Sequence, residues 1–405
     1  MVSKAIIGCQ WGDEGKGKIV DLLAKDSDLI VRFQGGANAG HTVVVNGKEH
    51  ISHQVPSGLL YEDKMGLIGD GCVIDLDALR KELDQIGKGS KIFIGDRANL
   101  VLPHHKRMDE LQEETRKKGI GTTRRGIGPC YSHKAGRMGL RICDLDDKNI
   151  GDRIDEIYPF VKDFTTRESL LDYCMDRKNL VEGRTVSTPN FLMENRGLDI
   201  LFEGAQGTML DVNYGTYPFT TSSNTTVGAI CTGCGVPPSF IDEVIGITKA
   251  YTTRVGEGPL PTELRDEMGD HLREKGGEYG ATTGRPRRCG WLDLVVVKHS
   301  LAINGFSSLV LTKLDVLSGL KEIKVCTRYD CQGEEIESFP ANLSLLDECS
   351  PVYERFRGWD QKLEYKLPKE ARDYIDYIES CLGVDVSMVS VGKGRGEIIT
   401  NESWS

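Results

Sequence analysis

The sequence predicts an α/β fold with a mostly parallel central sheet, helices on both faces, and helical and small β elaborations. Short apolar runs typical of buried strands alternate along the chain with helical patterns, which favours parallel strands joined by crossover helices. Glycine-rich segments follow these strands, as at the edge of such a sheet where ligands bind. They lie at residues 8–17, 35–40, 204–207, 256–258 and 392–396.

The individual elements follow from local patterns. Strands are expected at residues 5–9, 28–33, 66–70, 91–95, 199–203, 244–252, 308–312 and 384–391, and helices at 16–25, 75–86, 104–118, 291–303 and 368–381. Asn46-Gly47 lies between apolar runs over residues 43–51 and predicts a β-hairpin. Residues 145–198 carry no chemical motif and are expected to form a helical elaboration. We expect residues 1–405 to form a single domain.

Composition narrows the classes of partner. The formal net charge of −10 argues against broad binding to nucleic acid or anionic lipid, although local basic clusters can still bind small anions. Apolar runs are too short for a signal peptide or a membrane helix, so we expect a cytoplasmic protein. The twelve cysteines are expected to be reduced thiols. For the close pair Cys231 and Cys234, a metal or redox role and a packed turn both remain open.

The first glycine-rich loop has most of the phosphate-loop pattern, in which backbone N–H groups and a helix N-terminus bind phosphate. Gly12, Gly17 and Lys18 have the required spacing, but Ile19 stands where the pattern needs a hydroxyl for Mg²⁺. Asp13, inside the loop, is the natural oxygen ligand for a hard cation. A metal or proton-transfer role for Asp13 therefore competes with that of a solvated carboxylate.

The second glycine-rich loop, residues 35–42, contains a single titratable side chain, His41. Small residues allow a ligand to approach the backbone closely, and imidazole suits proton transfer near neutral pH. Catalysis and simple packing both remain possible for His41. The other histidines, including His104 and His105, are expected to be structural.

Taken together, these segments and six further ones resemble the adenylosuccinate synthetase family, in the family's order. The matching segments are 10–18 (QWGDEGKGK), 35–42 (GGANAGHT), 121–129 (GTTRRGIGP), 203–207 (EGAQG), 215–224 (GTYPFTTSSN), 255–259 (VGEGP), 282–288 (TTGRPRR) with 290–293 (GWLD), and 313–315 (KLD). The resemblance implies a phosphate-loop NTPase-like fold. It also implies an enzyme that joins L-aspartate to IMP with GTP and Mg²⁺, through a 6-phosphoryl intermediate.

The resemblance also implies roles for individual residues. The catalytic residues would be Asp13, His41, Lys16 and Gln206. GTP would be bound by Gly12, Gly15, Gly17, Lys18, Gly40, Thr42, Arg287, Lys313, Asp315, Ser390 and Gly392, and Mg²⁺ by Asp13 and Gly40. IMP would be bound by Asp13, Lys16, Asn38, His41, Thr123, Arg137, Gln206, Thr221, Val255 and Arg285, with Arg137 supplied by the second subunit of a homodimer. Aspartate would be bound by Thr282, Thr283, Gly284, Arg285 and Arg287.

One residue departs from the family pattern, since Arg124 stands where glycine is usual. The arginine either requires a different backbone angle or points to solvent. Two other classes of function remain as alternatives: a phosphate-loop kinase or GTPase, and a nucleotide-sensing protein without catalysis. Neither explains residues 282–288 together with His41.

Overall fold

The computed structural model describes residues 2–45, 48–86, 88–117, 119–280, 284–363 and 366–401. Its strands are β1 (Ser3–Gly8), β2 (Leu29–Arg32), β3 (His41–Val45), β4 (Lys48–Ser52), β5 (Met65–Ile68), β6 (Val73–Ile74), β7 (Lys91–Gly95), β8 (Asn99–Leu100), β9 (Thr185–Val186), β10 (Ile200–Glu203), β11 (Glu243–Lys249), β12 (Thr252–Arg254), β13 (Arg288–Gly290), β14 (Leu292–Asp293), β15 (Ser308–Thr312), β16 (Glu322–Cys331), β17 (Glu334–Ile336), β18 (Cys349–Arg357), β19 (Val386–Ser390) and β20 (Ile398–Thr400). Its α-helices are α1 (Lys16–Ala24), α2 (Leu76–Leu83), α3 (Pro103–Thr115), α4 (Ile127–Ala135), α5 (Ile150–Val161), α6 (Arg167–Arg177), α7 (Thr188–Glu194), α8 (Gly228–Cys234), α9 (Glu267–Gly276), α10 (Leu294–Asn304) and α11 (Lys369–Leu382).

The chain forms two compact units. The first comprises Met1–Ala5, Ile19–Ala205 and Thr221–Asp242, and the second comprises Ile6–Lys18, Gln206–Thr220 and Glu243–Ser405. The expectation of a single domain over residues 1–405 stays a prediction.

In the first unit, parallel strands lie in the order β10-β2-β5-β7-β9. Every residue of β2 and β10 is buried, as expected of parallel strands covered on both faces. Their register places Glu203 beside Arg32, so both strands end at the same edge. The loops that carry residues 35–40 and 204–207 both leave from that edge.

In the second unit, β11, β15 and β19 are parallel neighbours, and β20 adds an antiparallel edge strand. The register of β11 and β15 places Lys249 beside Thr312 at their carboxyl ends. A further sheet has the order β14-β16-β17, with β18 also paired to β16. Together with the similarity to a solved structure described below, these pairings confirm the predicted α/β class and its mostly parallel sheet.

The region 145–198 is helical, as predicted, although the short strand β9 was not expected. Helix α5 buries Ile150, Ile154, Ile157 and Val161, which recur at a spacing that places them on one face. These residues belong to a hydrophobic core that also contains residues from β5, β7, α2 and α6. The burial of this apolar face accounts for the folding of the segment, so its side chains need no catalytic or binding role.

Other local predictions have mixed outcomes. β3 and β4 form the predicted antiparallel pair, whereas the turn at Asn46-Gly47 lies outside the described residues. Helix α10 begins three residues later than expected because Asp293 caps its first turn. Among the described residues, no helix has the length and apolarity needed to cross a membrane.

The expectation of reduced thiols is wrong for two cysteines, Cys331 and Cys349, which form a disulfide. They are directly opposite each other in the antiparallel pair β16–β18, with Cα atoms 4.1 Å apart. Sequence spacing of 18 residues gave no sign of this pairing. Cys231 and Cys234 are free thiols, and both lie within helix α8 rather than in the turn that was one of the two alternatives.

Candidate active site

The first glycine-rich segment forms a loop between β1 and α1, as the phosphate-loop pattern predicts. Gly12 (φ +82°) and Gly15 (φ +85°) have left-handed backbone angles that side chains rarely adopt. Helix α1 begins at Lys16, so its free N–H groups lie at the end of the loop. These features fit a loop that binds phosphate.

Glu14 occupies the inside of this loop and was not singled out from the sequence. One oxygen of its buried carboxylate accepts hydrogen bonds from the backbone N–H groups of Gln10 (3.0 Å) and Gly12 (2.9 Å). The other oxygen pairs with the ammonium group of Lys16, which is itself buried. Lys16, predicted to neutralise the transferred phosphate, is therefore held by Glu14 in this structure.

Asp13 lies at the surface of the loop with a φ of +58°, an unusual angle for a residue with a side chain. Its carboxylate is 37% exposed, and its Oδ2 lies 2.9 Å from the Nε of Arg287. The structure thus brings the predicted base together with an arginine predicted to bind aspartate or the γ-phosphate. That Asp13 and His41 act together in one active site stays a prediction, because the two residues belong to different units.

The second glycine-rich loop is shaped by contacts within the first unit. Asn38 accepts a hydrogen bond from the Gly36 N–H (3.2 Å) and donates one to the Thr221 hydroxyl (3.4 Å). Two of the predicted IMP-binding residues, Asn38 and Thr221, are therefore neighbours although 183 positions separate them. The side chain of Thr42, predicted to contact GTP, lies outside the described part of the structure.

His41 is buried and hydrogen-bonded through its Nδ1 to the carboxylate of Glu203. Ser57 donates two further hydrogen bonds to that carboxylate, from its hydroxyl (2.7 Å) and its backbone N–H (2.9 Å). Burial alone would raise the pKa of Glu203, but His41, Arg32 and Ser57 outweigh it and lower the pKa to about 2. An ionised Glu203 fixes the proton on Nδ1 and leaves Nε2 for a substrate. Sequence reasoning missed Glu203, since its partner is 162 residues away.

Three residues predicted to bind GTP meet at the end of β19. The ammonium group of Lys18 donates hydrogen bonds to the Ser390 hydroxyl and to the carbonyls of Gly392 and Glu397, each at 2.9 Å. Burial lowers the pKa of Lys18 to about 8, so Lys18 is still mostly protonated at neutral pH. Lys18, Ser390 and Gly392 are therefore close together, and their role in binding GTP stays a prediction.

The segment 313–315, which was predicted to bind GTP, follows β15. Lys313 has a φ of +57°, and the next turn contains Asp315, whose pKa burial raises. The Oδ1 of Asp315 is buried and has no hydrogen-bond partner among the described residues. A buried carboxylate oxygen without a partner is costly, and a guanine N–H group would supply one.

The remaining predicted residues are located as follows. Gln206 has a φ of +59°, and its buried Oε1 lacks a hydrogen-bond partner among the described residues. A hydrogen bond from the Gly280 N–H to the Arg285 carbonyl (2.8 Å) closes a loop whose Thr282 and Thr283 lie outside the described residues. Thr123, Gly284, Arg285 and Arg137 are exposed, and Gly40 and Val255 are half-buried.

Arg124, the departure from the family pattern, follows the second of the predicted alternatives, in which its side chain points to solvent. Its φ is +54°, and its side chain is 53% exposed, with its Nη1 3.9 Å from the nearest oxygen of Glu114. The backbone therefore keeps the angle that glycine adopts freely, and the arginine extends into solvent.

His104, His105 and His133 are buried with ring nitrogens close enough to hold a metal ion. However, the Leu102 N–H donates to Nδ1 of His105 (2.9 Å), so the proton of the neutral ring is on Nε2. That nitrogen lies 3.0 Å from Nδ1 of His133 and donates to it. These hydrogen bonds use one lone pair of His105 and one of His133, whereas both ring nitrogens of His104 are buried without a hydrogen-bond partner among the described residues. The structural role of these histidines stays a prediction.

Comparisons with known proteins identify relatives along nearly the whole chain. A family model described as adenylosuccinate synthetase matches residues 5–399. The adenylosuccinate synthetase of Caldicellulosiruptor bescii is 48% identical over 422 residues, covering 98% of this chain and 99% of the relative. That of Halothermothrix orenii is 46% identical over 426 residues and covers 99% of each chain.

Solved structures agree with these relatives. The fully ligated adenylosuccinate synthetase from Plasmodium falciparum superimposes with a TM-score of 0.93 at 40% identity, covering 98% of this chain and 99% of that one. A succinoaminodeoxyadenylate synthetase from cyanophage S-2L, 21% identical with a TM-score of 0.67, shares the fold.

Proposed function

Since the chain belongs to the adenylosuccinate synthetase family, we propose that it catalyses the GTP-dependent ligation of L-aspartate to IMP, giving adenylosuccinate, GDP and phosphate. The observation that carries this proposal is the ion pair between Asp13 and Arg287. It joins the carboxylate of a phosphate loop to an arginine of the segment that resembles an aspartate-binding site. Kinases and GTPases also use an arginine beside the phosphate loop, but neither class explains residues 282–288 together with His41.

The reaction proceeds in two steps. Asp13 removes the proton from N1 of IMP, and the resulting charge on O6 allows this oxygen to attack the γ-phosphorus of GTP, releasing GDP. The amine of aspartate then attacks C6 of 6-phosphoryl-IMP, and the C6–O6 bond breaks as phosphate leaves. Phosphate is a far better leaving group than the hydroxide that would otherwise depart.

The transferred phosphoryl group is stabilised by positive charge and hydrogen-bond donors. His41 donates from Nε2 as the imidazolium, whose positive charge is stabilised by the carboxylate of Glu203 at Nδ1. Lys16 moves from Glu14 to the phosphate when the anion arrives, and Gln206 donates hydrogen bonds to it from its amide N–H groups.

By the resemblance to the family, Mg²⁺ would be held by the carboxylate of Asp13 and the backbone carbonyl of Gly40. Both ligands are oxygens, which this hard cation prefers, and Ile19 is buried and offers no hydroxyl. When bound, Mg²⁺ neutralises charge on the phosphate oxygens.

Substrate recognition is divided among the predicted sets. Asp315 accepts hydrogen bonds from guanine, and Lys18, Ser390 and Gly392 surround the rest of GTP together with Gly12, Gly15, Gly17, Thr42 and Lys313. Arg285 and Arg287 bind aspartate with Thr282, Thr283 and Gly284. IMP is held by Asn38, Thr123, Thr221, Val255 and Arg137, the last from the neighbouring subunit of a homodimer. The expected cytoplasmic location also stays a prediction.

Labelling O6 of IMP with heavy oxygen tests the proposed chemistry. The expected result is release of labelled phosphate, and only when IMP, aspartate and GTP are all present. GTP hydrolysis that proceeds equally well without IMP would instead indicate a GTPase. Binding of nucleotide without any GDP release would indicate a sensing protein.

A further inference from the structure

Glu278 lies just beyond helix α9, fully buried, and its carboxylate collects three positively charged side chains. Oε2 accepts hydrogen bonds from Lys249 (2.9 Å) and Arg287 (2.7 Å). Oε1 accepts from Lys313 (3.1 Å) and from the Tyr251 hydroxyl. No sequence motif pointed to this residue.

The charges around Glu278 are unbalanced in favour of the cations. Burial alone would raise the pKa of Glu278, but Lys249, Lys313 and Arg287 hold it well below its usual range, so the carboxylate is ionised. Burial lowers the pKa of Lys249 to about 8 despite this partner. Glu278 and Asp13, which also pairs with Arg287, supply two negative charges to three cations, so the group favours the arrival of a further anion.

Two of these cations belong to segments with predicted binding roles. Arg287 also lies beside Asp13 through Nε, and its described contacts leave the N–H groups of Nη2 for an incoming carboxylate or phosphate. Lys313 also donates to the Gly276 carbonyl (2.6 Å) and directly precedes the turn that contains Asp315. Glu278 therefore anchors both Arg287, which lies beside Asp13, and Lys313, which precedes the turn that contains Asp315.

We propose that Glu278 is a positioning residue that holds Arg287 and Lys313 ready to bind aspartate and GTP. This inference rests on the function proposed above. A free arginine or lysine side chain samples many rotamers, and holding it in place before binding removes that entropic cost from the binding step. Because Arg287 is anchored through Nη1, an anion can draw it from Asp13 without loss of its position.

The test is the variant Glu278→Gln, which keeps the size of the side chain and removes its charge. We expect the KM for aspartate and the KM for GTP to rise by roughly tenfold to a hundredfold, because small misplacements of a binding group have effects of this size. The KM for IMP should change by less than about twofold, since the Asn38–Thr221 contact does not involve this group. Equal changes in all three KM values, or none, would overturn the proposal.

A double-mutant cycle separates positioning from a general effect on folding. In the background Arg287→Ala, Glu278→Gln should raise the KM for aspartate by much less than it does alone, because the two residues act as one unit. Full additivity would contradict the proposal. Asp293→Asn is the matched control, since Asp293 is also fully buried in the same unit but lies in a helix cap; it should leave the KM values unchanged.

If Glu278→Gln does not fold, Glu278→Asp replaces it, because aspartate keeps the charge beside Lys249 but shortens the reach. The KM for aspartate should then rise while kcat stays near the value of the parent chain; an unchanged KM would overturn the proposal. Failure of the parent chain to release GDP in response to IMP and aspartate would reject the proposed function itself. A normal parent with an unaffected Glu278→Gln variant would reject only the positioning role.

Discussion

Several of the predicted functional residues have backbone angles that side chains rarely adopt. Asp13, Gln206 and Lys313 have φ between +57° and +59°, which costs each of them about 1–3 kcal/mol. Such strain persists only where the surrounding structure imposes it and is concentrated at functional sites. Asp63, Arg124 and Gln332 have similar angles without an assigned role, so the angle marks a functional residue only together with its chemistry.

At the residue scale, the sequence identified residues that lie in motifs but missed the acidic residues that support them. Asp13, His41 and Lys18 stand in glycine-rich loops, where their chemistry is evident from neighbours along the chain. Glu203 begins the matching segment 203–207 without a role assigned to it, and Glu278 lies outside every matching segment; both contact partners that only the fold brings close. Glu14 lies in the first loop, but its inward direction depends on a backbone that sequence spacing does not specify.

The first prediction concerns Glu203→Gln, which removes the negative charge beside His41. The amide can still accept from Nδ1 but lacks the charge that stabilises the imidazolium, the form in which Nε2 donates, so we expect kcat to fall about tenfold or more. The KM values should stay within about twofold, because no substrate contact is lost. Steady-state kinetics check this, and Ser57→Ala, which removes one of Glu203's donors, should have a smaller effect in the same direction.

The same group predicts the acid stability of the chain. The pKa of Glu203 in the folded state, about 2, lies below the unfolded value of 4.5, so its stabilising contribution is complete above 4.5 and is lost as the pH falls toward 2. In Glu203→Gln this part of the acid unfolding curve should be missing. If the Glu203→Gln variant loses as much stability at low pH as the parent chain, other carboxylates account for the acid unfolding.

A second prediction concerns base recognition by Asp315. In Asp315→Asn, the amide presents a donor as well as an acceptor, so the match to the two N–H groups of guanine is lost. We expect the KM for GTP to rise by roughly tenfold or more and the preference for GTP over XTP to shrink, because xanthine offers a carbonyl where guanine has an amine. Competition between the two nucleotides measures this preference. An unchanged preference for GTP over XTP would show that Asp315 does not recognise guanine.

At the scale of elements, the parallel strands were predicted well because their apolar runs are buried on both faces. Strands β10 and β15 are examples, since nearly all of their residues are buried. In contrast, β18 has mostly half-buried and exposed residues, and its stability comes from pairing with β16. Such a strand has no apolar pattern of its own, so the sheet containing β16 and β18 was not expected.

A third prediction belongs to helix α10 and its cap, Asp293. This carboxylate accepts from the backbone N–H groups of Val295 and Val296 and from the Tyr329 hydroxyl (2.7 Å), yet burial raises its pKa to about 7. Because the folded pKa exceeds the unfolded value of 3.8, the stability from this group is present at low pH and is lost as the pH rises through 7.

Asp293→Asn keeps an oxygen for the cap and has no proton to lose. Relative to this variant, the parent chain should become less stable as the pH increases, by up to about 1.4 kcal/mol for each unit of pKa shift. Urea unfolding at a pH below 7 and at one above it measures the difference. A parallel pH dependence of the two chains would show that Asp293 does not titrate in this range.

At the scale of the whole molecule, the net charge and the local charges point in opposite directions. The chain carries −10 overall, but Lys16, Lys18, Lys249, Arg287 and Lys313 all lie in or beside segments with predicted nucleotide or aspartate contacts. Small polyanions can therefore be bound locally while long polyanions such as nucleic acid are repelled by the remaining surface. This distribution favours a small-molecule enzyme over a nucleic-acid-binding protein.

The last prediction concerns the proposed homodimer, in which Arg137 serves the site of the other subunit. Arg137 is exposed just beyond the end of α4, with a φ of +61°, so its side chain is available to a second copy.

Asp13→Ala and Arg137→Leu should each be nearly inactive alone. When the two variants are mixed and allowed to exchange subunits, each mixed dimer has one site with an intact Asp13 and an intact Arg137 from its neighbour. Random pairing then restores about one site in four, because half of the dimers are mixed and each has one native site. Activity that stays at the level of the separate variants, while mixed dimers are detected by mass, would show that each subunit uses its own Arg137 or none.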